Sequence, residues 1–438
     1  MDQTVAAPAT ARPSESAGAF SWYSELSRDE RRTFFACFSG WALDALDTQM
    51  YALTIPTLIA LWHMSTGQAG ILGTAVLIMS ALGGWLAGML SDRIGRVRVL
   101  QLTIVWFSTF TFLSGLTNSF GELLVTRSLQ GLGFGGEWAV GAVLISEMIN
   151  PKVRGRVVGA IQAGWAVGYG MAVLLSTVLF TYLPQEYAWR VFFFTGFLPS
   201  LAVLWIRRNV KEPALFVESK ARAGKEGHAS LLDIFRGGHL GTTVKASLLT
   251  TGIYGGNYVM ITWLPAYLKM SLQLSVLNVG GYLAVNILGS FCGAFLNGFL
   301  ADRIGRRKTF IICACLQATA VAVYTMAPIN TTATFLLGFV LGTLQSGTAA
   351  GTGAFLAELF PTRIRGTAQG FTGNSGRAIG SIFPALVGFV SASLPLGMAM
   401  GICACSAYVI VVVFAALLPE TRGRDLRSMS LEPASRVG

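Results

Sequence analysis

Five ionisable side chains sit where an apolar sequence has least use for them. Asp44 and Asp47 fall within residues 33–60, Arg127 and Glu137 within 121–148, and Arg377 within 367–391. Each such group at bilayer depth costs about 2.5–3.5 kcal/mol on insertion scales, so each needs a partner or a task. Asp44 and Asp47 are three residues apart and share a helical face. Two carboxylates that close do not readily ionise together, and a carboxyl group that gains and loses a proton near neutral pH is what a proton-coupled carrier needs. The other use for Asp44 and Asp47 is a static pairing with Arg127 that ties two helices together. Glu137 lies about 15 Å beyond Arg127 along a helix. It stands among glycines that permit tight packing, as a second proton site or as a polar group gripping a neighbouring helix. Arg377 has no acid in its own run and has Asn374 on its face. Its planar donor fork suits a carboxylate ligand, and its alternative use is a salt bridge to Glu137 or to an aspartate.

Polar and aromatic residues recur at helical spacing in other apolar runs. Gln162, Trp165 and Tyr169 align in one, Tyr254, Asn257 and Tyr258 in another, and Asn286 stands midway along a third. Pockets for flat organic ligands combine aromatic walls with a few amides and hydroxyls, although such stripes also serve as packing surfaces. All six cysteines lie in apolar runs, and neither C-x-C pair has a second ligand pair or a nearby histidine. Cofactor and metal chemistry are therefore not expected, and the chain is not expected to be an enzyme.

The elements that must position these groups follow from composition. Of 438 residues, 53% are hydrophobic and only 12% charged, with 51 glycines mostly inside the apolar runs. That pattern excludes an ordinary soluble domain and points to closely packed membrane helices. A spanning helix needs about 20 apolar residues. Twelve spans are predicted: 33–60, 67–90, 99–117, 121–148, 156–182, 189–206, 243–268, 276–300, 309–327, 332–358, 367–391 and 396–418. The fold class predicted is an all-α integral membrane protein of two six-helix bundles, 33–206 and 243–418. Around them lie an N-tail (1–32), a linker (207–242) and a C-tail (419–438). The N-tail lacks the basic start, apolar stretch and cleavage site of a signal peptide.

An even number of spans puts both tails on one side. Of 32 Lys and Arg residues, 28 fall in the tails and in the loops on the tail side; the others are Arg127, Arg190, Lys269 and Arg377. The positive-inside rule then places both termini in the cytoplasm of a cell (inner) membrane. The net charge of +11 is a topology signal, and nucleic-acid binding drops out. The halves also repeat. Gly88-Met-Leu-Ser-Asp92-Arg93-Ile-Gly95-Arg96-Val-Arg98 returns 210 residues later as Gly298-Phe-Leu-Ala-Asp302-Arg303-Ile-Gly305-Arg306-Arg307-Lys308. Glu147, Pro151, Arg154 and Gly155 return as Glu358, Pro361, Arg365 and Gly366. Duplicated six-helix halves around a midplane site are the build of an alternating-access transporter.

At these residues the chain resembles the major facilitator superfamily. The G-x-x-x-D-R-x-G-R-x-R loop is that family's most specific signature and occurs twice, with Val97 breaking the usual basic run in the first copy. Its sugar-porter and organic-acid branch is similar in Arg127-x-x-x-Gly131-x-Gly133-x-Gly135-Gly136-Glu137, in Trp189-Arg190, and in Pro419-Glu420-Thr421-Arg422-Gly423. Asp44-Ala-Leu-Asp47, Glu137-Trp138 and Gly376-Arg377-x-x-Gly380 resemble acid symporters. Thr250-Thr251-Gly252 stands where sugar porters carry paired glutamines, and helix 5 lacks the glycine-proline element of drug antiporters.

The resemblance implies proton-coupled import of an organic acid anion, foremost an aromatic carboxylate. Rival readings are a lactate-, pyruvate- or sialate-type symporter, a drug or metabolite exporter, and a non-transporting membrane sensor. It further implies that Arg127 pairs with the helix 1 aspartate. Asp92, Arg93, Arg96, Glu147 and Arg154, and in the second half Asp302, Arg303, Glu358 and Arg365, form charge networks that gate the tail side. Expected partners are a small carboxylate, protons as coupling ion and the lipid bilayer, with the protein a monomer.

Overall fold

The computed structural model describes residues 21–149, 154–210, 234–235, 238–361 and 364–421; the side chains of Asp92, Glu147, Arg154 and Asp302 lie outside that description. Described residues form helices and connecting turns, with no strand among them. A four-residue turn precedes α1 (Arg28–Trp62), followed by α2 (Thr66–Ile94), α3 (Arg96–Ser114), α4 (Phe120–Met148) and α5 (Arg154–Tyr182). α6 is broken into Gln185–Thr195 and Leu198–Asn209. The second half repeats the plan with α7 (Leu240–Ala266), α8 (Val276–Ile304), α9 (Arg306–Met326) and α10 (Thr331–Leu359). α11 is broken into Arg365–Gly380 and Phe383–Val390, and α12 is Leu396–Leu417. Each of the twelve predicted spans overlaps one of these rods. Seven of them (α2, α3, α5, α8, α9, α10 and α12) are long and apolar enough to cross a membrane by length and composition.

Local chemistry sets the helix ends. Ser27 and Ser65 cap α1 and α2 in reciprocal boxes with Glu30 and Gln68, and Ser119 and Ser275 cap α4 and α8. Asn330, the first residue of an Asn-Thr-Thr sequon, is the cap of α10, its Oδ1 accepting the Ala333 amide at 2.9 Å. The repeated motif turns sharply at Gly95 (φ 114°) and Gly305 (φ 102°), backbone that a Cβ would strain. Pro199 and Pro384 stand at the starts of the second pieces of α6 and α11, where a missing amide costs nothing.

Within the first half α1 packs on α5, and α2 and α3 pack on α4; in the second, α8 packs on α10, and α7 and α9 on α12. The halves meet through α2 against α11, α5 against α8 and α1 against α7. These contacts gather at the face away from the tails, here called the far face. Thr66 Oγ1 donates to the Gly388 carbonyl at 2.9 Å. Thr74 Oγ1 donates to the Ser381 carbonyl at 2.6 Å and accepts from the Ala385 amide at 3.1 Å. The break in α11 thus frees backbone groups that α2 takes up.

Candidate functional site

Residues of α1, α2, α4, α5, α7, α8, α10 and α11 surround a cavity of about 220 Å³ between the halves. Gln162, Trp165, Tyr169, Tyr254, Asn257, Tyr258, Asn286 and Arg377, all flagged by spacing, line it together with Arg127. Asn374 does not. Its Oδ1 faces Gly84 of α2 at the contact between halves, because α11 turns that side of the helix away from the opening. Lining residues that spacing did not single out include Trp41, Thr48, Tyr51 and Gln345. Trp41 packs against Trp165 at 5.0 Å between ring centroids. Tyr254 and Tyr258 stack at 5.7 Å, one turn apart on α7. The Gln162 Oε1 has no hydrogen-bond partner among the described residues. Asn286 spends its amide on the Gly338 carbonyl at 3.0 Å, so it also ties α8 to α10.

Arg377 is the cation of this cavity. It is 8% exposed, and its guanidinium stands 5.7 Å over the ring of Tyr254, on which Tyr258 stacks. Among the described residues no carboxylate lies within salt-bridge reach of it. Tyrosines orient the fork without neutralising it, which leaves a full positive charge facing a cavity with flat aromatic walls.

The aspartates of α1 divide their labour. Asp47 is 1% exposed and faces Arg127 at 3.5 Å, while Thr111 and Gln130 also donate to its two oxygens. Arg127 further lies over the rings of Tyr51 (5.7 Å) and Phe193 (5.6 Å). Asp47 therefore has the donors a charged carboxylate requires. Asp44 has none: neither oxygen meets a donor among the described residues. Its neighbour is Glu137 of α4, seated on α1 where Gly40 leaves room. Two buried carboxyl groups that close do not readily ionise together. Arg377 is a further charged neighbour of Asp44 from the opposite half.

Over nearly its whole length, the chain matches the family model described as Major Facilitator Superfamily, in segments 37–296 and 282–435. It belongs to that superfamily. It is therefore a multi-pass membrane transporter, not an enzyme. A probable 4-methylmuconolactone transporter of Cupriavidus pinatubonensis is 43% identical over 404 residues, covering 92% of this chain and 94% of that one. The cis,cis-muconate transport protein of Acinetobacter baylyi is 30% identical over 397 residues, covering 88% and 94%. In fold, the inward-open xylose transporter XylE from E. coli superposes with a TM-score of 0.74 at 17% identity, covering 90% and 98%.

The superfamily's duplicated loop motif has a partner that spacing did not reveal. In the second half Arg306 lies 3.4 Å from Glu358, and its amide donates to Glu420 at 2.8 Å. Thr421 Oγ1 donates to Glu358 at 2.5 Å. Glu420 and Thr421 thus bring the segment after α12 onto the α8–α9 turn. Arg365 donates to the Phe360 carbonyl at 3.3 Å, and Arg96 to the Ser91 carbonyl at 2.9 Å. Arg93 and Arg303 are exposed at the same level. At the far face Arg190 ties the α3–α4 loop, donating to Gly115, Thr117 and Asn118 at 2.8–2.9 Å.

Proposed function

We propose that this chain is a proton-coupled symporter importing an organic acid anion, a small aromatic or muconate-like carboxylate, by alternating access. The observation that carries the reading is Arg377: a buried guanidinium lining the cavity, held by tyrosines and facing no carboxylate among the described residues. A substrate carboxylate supplies the missing negative charge bidentately, and the stacked Tyr254 and Tyr258 with Trp165 receive a flat body. The names of the relatives, a muconolactone and a muconate transporter, support the same substrate class.

Coupling follows from the charges around Arg377. Arg377 and an ionised Asp44 attract one another across the halves, and a bound anion cancels that attraction. Anion on Arg377 and proton on the Asp44–Glu137 pair then favour each other, as reciprocal linkage requires. In this reading Asp44 and Glu137 carry the transported proton, and Asp47 with Arg127 holds α1 to α4 beside them. The tail face is the cytoplasmic side of an inner membrane, given its basic loops, and the joined far face makes this conformer inward-facing. The protein works as a monomer with no cofactor besides the proton.

The test is uptake of labelled cis,cis-muconate and a panel of aromatic acids into proteoliposomes with an imposed inside-alkaline pH gradient. At least one acid should accumulate and be released by a protonophore. Accumulation that ignores the pH gradient, or that takes neutral amides as readily as acids, would contradict the reading.

A further inference from the structure

A second cavity, of about 390 Å³, lies towards the far face between α1, α5, α7 and α8, so it too spans the two halves. It is stacked on the central cavity. On α1, Ala52 lines the first and Leu53 the second; on α5, Tyr169 and Val173; on α7, Thr262 and Pro265; on α8, Ile287 and Leu283. On all four helices one turn or less separates the two spaces.

The far cavity also has its own cation. Lys269 lines it from a π-helical turn, Tyr267–Ser271, that extends α7. Its Nζ donates to the Leu274 carbonyl at 3.3 Å, one of the three bonds an ammonium can make, and no carboxylate among the described residues is in salt-bridge reach. Glu186, beside the lining Gln185, is exposed and does not line the cavity. The backbone following Lys269 is strained, with Gln273 at φ 52°, a left-handed conformation for a residue with a side chain. π-turns and such strained positions concentrate at functional sites. Pro56 of α1 and Pro265 of α7 both line this cavity. Each removes a helical hydrogen bond, so α1 and α7 are weakened at the layer dividing the cavities.

We infer that the far-face cavity is a second carboxylate station, with Lys269 as its cation, where an acid anion rests before passing to Arg377. This rests on the reading of the protein as an anion importer. The lysine is partly exposed, so its hold is weak, suited to collecting an anion and releasing it inward.

Charge-selective thiol reaction tests the station without needing the substrate. With Gln185→Cys placed in protein lacking the native cysteines, an anionic sulfonatoethyl and a cationic trimethylammonium-ethyl methanethiosulfonate are compared. Adding Lys269→Gln should lower the anion-to-cation rate ratio about fivefold, the scale of an exposed charge pair. An unchanged ratio overturns the proposal. In transport, Lys269→Gln should raise the KM for cis,cis-muconate by about the same factor with Vmax nearly constant. Lys269→Arg should restore it, and Gln185→Glu, which adds a carboxylate to the rim, should imitate the loss. An unchanged KM, or a fall in Vmax alone that Lys269→Arg does not rescue, assigns Lys269 to capping α7 and overturns the station. If the wild type does not accumulate muconate, the proposed substrate fails, while the thiol ratio still judges the lysine.

Discussion

Asp44 on α1 and Arg377 on α11, in opposite halves, feel each other's charge without being joined in a salt bridge. Trp41 and Thr48, about one turn to either side of Asp44, line the cavity that Arg377 also lines. With no salt bridge between them, an anion bound at Arg377, as proposed, would change what Asp44 experiences.

The carboxyl pair is the place to test coupling. Glu137→Gln keeps the shape and a polar side chain beside Asp44 but removes one titratable site. Gradient-driven accumulation should be lost while counterflow exchange of substrate across proteoliposomes persists. A Glu137→Gln protein that still concentrates substrate in response to a pH gradient would show that the proton travels elsewhere.

Asp47 and Arg127 should behave as a unit. Removing one partner of a buried pair leaves the other charge uncompensated, at a cost of about 3–5 kcal/mol. Asp47→Asn and Arg127→Gln should each lower the unfolding midpoint in detergent sharply, and the double variant should lose less than the two added together. Additive losses in that cycle would mean that the pair contributes no mutual stabilisation.

Much of this site was legible in the sequence, for physical reasons that differ by residue. Arg377 stood out because a permanent charge in an apolar run without a local acid has few uses. Gln162, Trp165 and Tyr169 were found because helical period alone puts them on one face. Spacing could not say that Asp44 and Asp47 part company, since their partners come from other helices: Thr111 from α3, and Arg127, Gln130 and Glu137 from α4. Thr111 and Gln130 gave no signal of their own, being single polar residues in apolar runs. The breaks in α6 and α11 were signalled by Pro199 and Pro384, but hydropathy windows read across them. Much of the linker and of both tails lies outside the described residues, as do the side chains of four members of the expected tail-side networks.

Thr74 should hold the far face shut. Thr74→Val removes both its donation to Ser381 and its acceptance from Ala385. At about 1 kcal/mol per hydrogen bond, about 2 kcal/mol in all, the halves should part at that face roughly thirtyfold more often. Faster labelling of a cysteine placed beside the α2–α11 contact is the readout, and an unaltered labelling rate counts against the latch.

On the tail face, Glu358→Gln breaks the contact with Arg306 and weakens that with Thr421. Because the contact is partly exposed, the expected cost is about 1 kcal/mol or less. Transport should slow by a few fold with substrate affinity nearly unchanged, and tail-side cysteine accessibility should shift. A large fall in affinity would place Glu358 in the binding site instead.

The most direct measurement compares the binding of an acid and of its neutral amide to wild type and to Arg377→Ala. Losing a charge-assisted hydrogen bond costs about 1.5–3 kcal/mol, so acid affinity should fall roughly ten- to over a hundredfold while the amide changes little. Arg377→Lys, which keeps the charge but not the fork, should recover only part of the loss. If acid and amide weaken equally in Arg377→Ala, Arg377 braces the helices and does not hold an anion, and the organic-acid assignment fails with it.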